Sequence, residues 1–238
     1  MIIEGALSVK AALENQKRVV HHVYFAQEKK SRDFQYIKHL CHKHEVAFSV
    51  VARSEIDLKA SGHTHGGVVA EAGYRHQENI SKPIVGLTLL VEGVEDPYNL
   101  GMMLRTAAAA GFTMVITGNR DYQESESIIL KASAGASEAL RWIKADDFDA
   151  TLQLLKQEGV LIISALRSDH SIPYQEFEYP EKICLCIGGE RRGLSKQVIQ
   201  TSDAFVHILY PNQVKIALSA VSATAVLVFE IVRQQSHS

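Results

Sequence analysis

The chain has 238 residues, of which 46% are hydrophobic and 22% charged, and its formal net charge is −2. This composition excludes a disordered, collagen-like or coiled-coil chain and fits one or two folded domains. It also argues against a broad, sequence-independent grip on nucleic acid, which needs many Lys/Arg contacts to phosphate.

No apolar run approaches the roughly 18 residues that a membrane-spanning helix needs, so no membrane partner is expected. The opening residues carry Glu4 and no basic stretch, so no signal peptide is expected. Of the three cysteines, Cys184 and Cys186 alternate in an apolar run, and no CxxC pair is present. They read as core residues of a protein in a reducing compartment, the cytoplasm. Charge and histidine are uneven along the chain. Up to residue 80 there are 11 Lys/Arg against 9 Asp/Glu, and eight of the 11 histidines. Beyond residue 80 there are 14 Lys/Arg against 18 Asp/Glu, which suggests two units with different work.

In chain order, residues 6–14 read as a short helix and 19–26 as a strand rich in β-branched and aromatic side chains. A helix over 33–44 has Phe34, Ile37 and Cys41 at helical spacing. A strand at 46–51, a short helix at 54–60 capped by Ser54, and a strand at 66–72 complete a first α/β unit over 1–76. The polar stretch 77–83, ending in Pro83, is the expected linker. A second unit spans 84–238. Its expected strands are 84–91, 114–117, 160–165, 183–187 and 205–209. They alternate with helices at 99–111, 125–131, 147–157, 194–200 and 217–235. Alternation of this kind gives βαβ units and a parallel sheet with helices on both faces. Uninterrupted apolar runs such as 87–91 and 183–187 fit strands buried on both faces.

Ligands of open parallel sheets bind beyond the carboxyl ends of the strands, so three loops matter most. The first, 92–101, contains Asp96-Pro97 and Asn99, with Asn99 as a candidate helix cap and Arg105 on the following helix. The two are about 240° apart on a helix and share a face only if Asn99 lies in the loop. An Arg on an alanine-rich helix asks for a partner, either substrate or a structural carboxylate. The second loop runs from Gly188 to Ser195 and approaches a phosphate-binding GxxxxGK[ST] loop, but Leu194 stands where the lysine is needed. This leaves bare glycine N–H groups, one carboxylate in Glu190, and two cations in Arg191 and Arg192 available to phosphate. The third loop, 207–222, leads into a helix with an apolar stripe at Leu218, Val221, Ala225, Val228 and Val232, joined by Phe229. That stripe is either buried or packed against a second copy. His39, His42 and His44 lie near one helix without a completing ligand. They read as solvated or RNA-facing, and no metal site is expected.

Taken together and in order, these segments resemble the SpoU family of RNA ribose 2′-O-methyltransferases. Val94-Glu-Asp-Pro-Tyr-Asn99 through Arg105, Ile187-Gly-Gly-Glu190-Arg-Arg-Gly193-Leu-Ser195, Ala132-Ser133-Ala-Gly135-Ala136 and Glu230-Ile-Val-Arg233-Gln234 carry the likeness. Ile3-Glu-Gly5 through Leu13 and His65-Gly-Gly67-Val-Val-Ala70 resemble the family's small substrate-binding domain. The resemblance implies a small N-terminal α/β RNA-binding domain, plus a trefoil-knotted, parallel-sheet methyltransferase domain that binds S-adenosylmethionine and works as a homodimer.

Carried over to this sequence, the cofactor would be held by Ala165, Leu166, Gly188, Gly189, Ile208, Tyr210 and Leu218. Arg105 would handle the 2′-hydroxyl, with Asn99, Glu190 and Ser219 as further catalytic positions, and His65, Arg191 and Arg192 would contact RNA. The implied substrate is rRNA rather than tRNA, because of the separate N-terminal domain. An RNA-binding pseudoenzyme and a base methyltransferase are the alternatives. Two positions depart from the family pattern. The triplet Ala217-Leu218-Ser219 stands where Ser-Leu-Asn is usual, and Gly66 stands where the family usually has Gln.

Overall fold

The computed structural model describes all residues except His63, 81–83, Val85, 211–216 and 237–238. The chain divides into two compact units, Met1–His76 with Tyr122–Ala139, and Gln77–Asp121 with Leu140–Ser238. Residues 122–139 therefore belong to the first unit, although their place in the sequence suggests the second. Part of the expected linker, 81–83, lies outside the described residues.

The first unit is built on β1 (Ile2–Glu4), α1 (Ala6–Asn15), β2 (Val20–Ala26), α2 (Arg32–Lys43), β3 (Ala47–Val51), α3 (Arg53–Lys59) and β4 (Val68–Ala72). The strands form one sheet in the order β1-β4-β2-β3, with only β2 and β3 parallel. Gly5, at φ 89°, supplies the left-handed turn from β1 into α1. Ser31 caps α2 by accepting from the Phe34 amide at 3.2 Å. The apolar positions expected on this helix, Phe34, Ile37 and Cys41, are buried with Leu40 against Val23 and Phe25 of β2. Burial pushes the Cys41 thiol up to about 11, so it stays protonated as a packing residue. Ser54 does not cap α3. The helix begins one residue earlier and Ala52 occupies the cap without a side-chain bond.

Two short helices from later in the chain, α5 (Glu126–Ala132) and α6 (Ala136–Ala139) in chain order, complete this unit. A buried ion cluster joins them to it. Arg18 donates to both oxygens of Glu138, at 2.8 and 3.1 Å, and to Glu126 at 2.8 Å. Lys131 pairs with Glu4 at 2.6 Å. Gly135 lies so close to α1 that a Cβ there would stand 2.6 Å from the Ala11 methyl.

The second unit contains β5 (Thr88–Glu92), α4 (Pro97–Ala109), β6 (Met114–Gly118), β7 (Arg141–Ala145), α7 (Phe148–Gln157), β8 (Leu161–Ala165), β9 (Ile172–Pro173), β10 (Ile183–Gly188), α8 (Lys196–Thr201), β11 (Ala204–His207) and α9 (Ala220–Gln235). Its strands form a single sheet in the order β7-β6-β5-β10-β8-β11-β9, and each adjacent pair is parallel. Helices α7 and α8 cover the face that carries Leu90, Ile116, Ile162, Cys184 and Cys186. The alternate residues Leu89, Val115, Ile163 and Leu185 are buried too, so the sheet core is apolar on both faces, as the uninterrupted runs imply. Helices α4 and α9 pack on each other, and α9 also packs on β10.

Strands β1, β7 and β9 are absent from the sequence expectation. Two of them are three residues or shorter. The third, RWIKA, interleaves Arg141 and Lys144 with apolar residues. None presents a run long enough for periodicity to register. Among the described residues, no helix is long and apolar enough to cross a membrane.

Candidate active site

Two cavities open at the carboxyl ends of the second unit's central strands, where the strand order turns outward from β5 and β10. This is the position that parallel sheets use for ligands. The first, of about 250 Å³, lies beyond β5 and β10 and is lined by Asn99, Glu190, Arg191, Gly189 and Ala220, among others. The second, of about 240 Å³, lies beyond β8 and β11 and is lined by Ala165, Leu166, Ile208, Tyr210 and Leu227, among others.

The first cavity owes its shape to glycine. Gly188 and Gly189 end β10 where the chain folds back on itself. A Cβ on Gly188 would meet the Gly193 carbonyl carbon at 2.3 Å, and one on Gly189 would meet the Gly93 oxygen at 2.2 Å. Only glycine permits that approach. Three of the loop's amides, including those of Gly189 and Gly193, are not bare, contrary to the sequence expectation. Gly189 N–H donates to the Glu92 carbonyl at 2.7 Å, Gly193 N–H to the Gly189 carbonyl at 2.9 Å, and Ser195 N–H to the Glu92 carboxylate at 2.8 Å. Their donors are spent on holding the loop closed. Those occupied glycine donors and the missing lysine both depart from a phosphate cradle of the NTPase kind.

On the other wall, Asp96 caps α4 by accepting from the Tyr98 amide at 2.8 Å. The cap is Asp96, not Asn99, and Asn99 sits inside the first turn, where it faces the cavity together with Glu190. With both Asn99 and Arg105 helical, about 240° separates them around the axis. Arg105 lines neither cavity. It is exposed, and no carboxylate pairs with it among the described residues, so the structural ion-pair reading fails. Ser219 caps α9. Its hydroxyl accepts from the Ser222 amide at 3.2 Å and donates to the Ser222 hydroxyl at 3.1 Å. Ala220, the first residue of that helix, reaches the cavity wall.

Four of the seven cofactor positions, Ala165, Leu166, Ile208 and Tyr210, meet in the second cavity. Gly189 belongs to the first cavity, Gly188 lines neither, and Leu218 is 39% exposed outside both. Leu218 remains tied to the site because its amide donates to the Tyr210 hydroxyl at 3.1 Å. The largely apolar walls and the Tyr210 ring suit a purine with a thioether-like chain. Strand β11 stops at His207, two residues short of expectation, and Ile208 to Tyr210 leave the sheet to form one side of this cavity. The expected α9 stripe is shifted as well. Ala220, Thr224, Leu227, Val228 and Ile231 are buried, whereas Phe229 is 51% exposed.

His65 corrects the RNA-contact expectation. It is 0% exposed, with Nε2 2.7 Å from Asp57 and Nδ1 accepting from the Gly67 amide at 3.1 Å. Both ring nitrogens are occupied, so the residue shapes its loop and is not available to RNA. Arg191 and Arg192 are exposed. Among the described residues, no group of three or more His, Cys, Asp or Glu side chains could hold a metal ion. His42 packs edge-on to Phe48 and His39 stacks on Tyr36, so these histidines are part of the helix surface.

A sequence model of the SpoU rRNA Methylase family matches residues 86–229, and one for RNA 2′-O ribose methyltransferase substrate binding matches residues 2–75. The chain belongs to the SpoU rRNA methylase family. Among its relatives is a protein of Yersinia pestis named 23S rRNA (guanosine-2′-O-)-methyltransferase RlmB, 31% identical over 98% of this chain and 97% of the relative. The protein of the same name from Salmonella typhimurium is 28% identical over 99% of both. In fold, the chain is similar to the crystal structure of the SpoU methyltransferase AviRb from Streptomyces viridochromogenes in complex with AdoMet. That likeness has a TM-score of 0.80 at 18% identity, covering 99% of this chain and 90% of that one. As a member of the SpoU family, the chain is an S-adenosylmethionine-dependent RNA ribose 2′-O-methyltransferase.

Proposed function

We propose that this chain methylates the ribose 2′-oxygen of a guanosine in 23S rRNA, acting in the cytoplasm as a homodimer with the family's knotted chain path. The observation that carries the site assignment is the pair of cavities at one sheet edge, an apolar one beyond β8 and β11 and a polar one beyond β5 and β10. Ala165, Leu166, Ile208 and Tyr210 hold the cofactor, and Asn99 and Glu190 orient the nucleotide. Arg191 and Arg192 meet phosphate, and the substrate-binding unit over 1–76 engages RNA beyond the target. The names of the full-length relatives support 23S rRNA and guanosine.

The cofactor, when bound, supplies an electrophilic methyl group on sulfur. The chain's task is to place a ribose hydroxyl against it and to remove the hydroxyl's proton. A guanidinium is in general a poor free base at neutral pH. Exposed and without a carboxylate partner among the described residues, Arg105 can hold the acceptor phosphate and the 2′-oxygen together and stabilise the charge that develops there. It lies on another face of α4 from Asn99. A homodimer is the arrangement in which one copy's Arg105 serves the other copy's pocket. The exposed side of α9 at Phe229 supports such a pairing. Ser219 contributes by fixing the start of α9, whose Ala220 borders the nucleotide pocket.

The test is methyl transfer from labelled cofactor to unmodified 23S rRNA, followed by digestion to nucleosides and mass spectrometry. The expected product is 2′-O-methylguanosine, resistant to alkaline cleavage at its 3′ side. A base-methylated nucleoside, or methylation of tRNA alone, would overturn the proposal.

A further inference from the structure

The cavity beyond β8 and β11 has one wall that its apolar residues do not explain. Arg167 is the one permanently charged side chain among the described residues that line it. It is exposed, and no carboxylate pairs with it among the described residues. Two other arginines are spent internally, Arg18 between Glu126 and Glu138 and Arg233 on Glu230.

The turn that follows Arg167 is fastened to the sheet by one hydroxyl. Ser171 Oγ accepts from the Ser168 amide at 2.9 Å and donates to the Ser168 carbonyl at 2.7 Å. It also lies 2.9 Å from His207 Nδ1. With its proton committed to Ser168, the hydroxyl takes a hydrogen bond from Nδ1–H, a tautomer assigned from this network. His207 ends β11 and itself lines the cavity, and β9 pairs with β11 immediately after Ser171. The loop bearing Arg167 is thus pinned to a strand that also lines the cavity.

A ligand that satisfies this cavity has a flat apolar part for the walls and an anion for the guanidinium. Adenine answers the first requirement. The methionine carboxylate is the cofactor's one anionic group, and a guanidinium matches a carboxylate with two parallel hydrogen bonds. We propose that Arg167 is the carboxylate anchor of the cofactor, and that Ser171 and His207 are positioning residues that hold its loop. The inference rests on the assignment of this cavity to S-adenosylmethionine.

Calorimetric titration of the intact chain with two ligands tests it. S-adenosylhomocysteine carries the carboxylate, and 5′-methylthioadenosine has the same nucleoside and a thioether but no amino-acid group. Arg167→Met is expected to weaken S-adenosylhomocysteine about tenfold and to leave 5′-methylthioadenosine within about twofold. Arg167→Lys should keep part of the preference, as a point charge without the fork. Ser171→Ala should weaken S-adenosylhomocysteine alone, by about threefold, with the unfolding midpoint unchanged. Equal loss of both ligands in Arg167→Met, no loss of either, or equal affinity of the unaltered protein for the two would overturn the anchor. Failure of the unaltered protein to bind either ligand overturns the cofactor assignment itself, and the anchor with it.

Discussion

In the first unit Arg18 is 5% exposed and shared between two glutamates, whereas in the second Arg105, Arg167, Arg191 and Arg192 all stand in solvent. The same residue type does opposite work. A guanidinium withdrawn from water must be matched within the fold, and once matched it has nothing left to offer a ligand. A guanidinium at a cavity rim keeps its donors free. The histidines divide in the same way, since His65 has both nitrogens committed while His207 has one tied to Ser171. Charge in the first unit holds segments 120 residues apart together. In the second, Lys156–Asp203 and Arg233–Glu230 are paired, while Arg105, Arg167, Arg191 and Arg192 are left open to solvent.

This contrast can be broken most strongly at Arg18. Arg18→Ala leaves the buried Glu126 and Glu138 with Arg75 beside them, its amide 3.1 Å from Glu126 and its guanidinium 3.5 Å from Glu138, and should cost about 3 kcal/mol in urea unfolding of the intact chain. A loss below about 1 kcal/mol would mean the cluster is hydrated in solution. Arg105→Ala is the counterpart in the second unit. Methyl transfer should fall about 10²–10³-fold while the unfolding midpoint and S-adenosylhomocysteine affinity hold. Full transfer would remove Arg105 from the mechanism. Gly189→Ala forces a methyl against the Gly93 oxygen and should cost about 1–3 kcal/mol, opening the loop of the nucleotide pocket. Unchanged stability would show that the loop adjusts.

The smallest effect is at Glu230. The hydrogen bond from Arg233 holds its carboxyl down at about 2, despite some burial that opposes the shift. A depressed carboxyl stabilises the fold above its unfolded value near 4.3 and loses that contribution as pH falls through about 2. The Arg233 side is open to water, so screening limits the pair to about 0.5 kcal/mol. Glu230→Gln should flatten the pH dependence of stability between pH 5 and 2 by about that amount, read from urea midpoints.

Much of the second unit can be read from the residues. Runs buried on both faces, such as those that became β5 and β10, announce a parallel sheet without any knowledge of their neighbours. The motif loops at 92–101 and 188–195 do reach the carboxyl edge of that sheet. What could not be read is which polar atoms are already used. Glycine spacing suggests free amides, yet Glu92 takes the Gly189 amide on its carbonyl and, 103 residues before it, the Ser195 amide on its carboxylate, and the Gly189 carbonyl takes that of Gly193. Asn99 and Asp96 are both good caps, and only the start of α4 decides between them. Arg167 and His207 carry no motif. The nearest sequence signal is a lone cation directly after Leu166, at the end of an apolar strand.

The sequence by itself determined the parallel α/β class, because periodicity and turn residues are local properties of the chain, and its ordered motifs carried the resemblance to the family. Only the tertiary structure decided that His65 is buried, that Asn99 and Arg105 face apart, that four of the seven expected cofactor positions meet beyond β8 and β11, and that residues 122–139 pack with the first unit. Those outcomes depend on partners far away in sequence. The state of a polar group is set by what surrounds it in space and not by its neighbours in the chain.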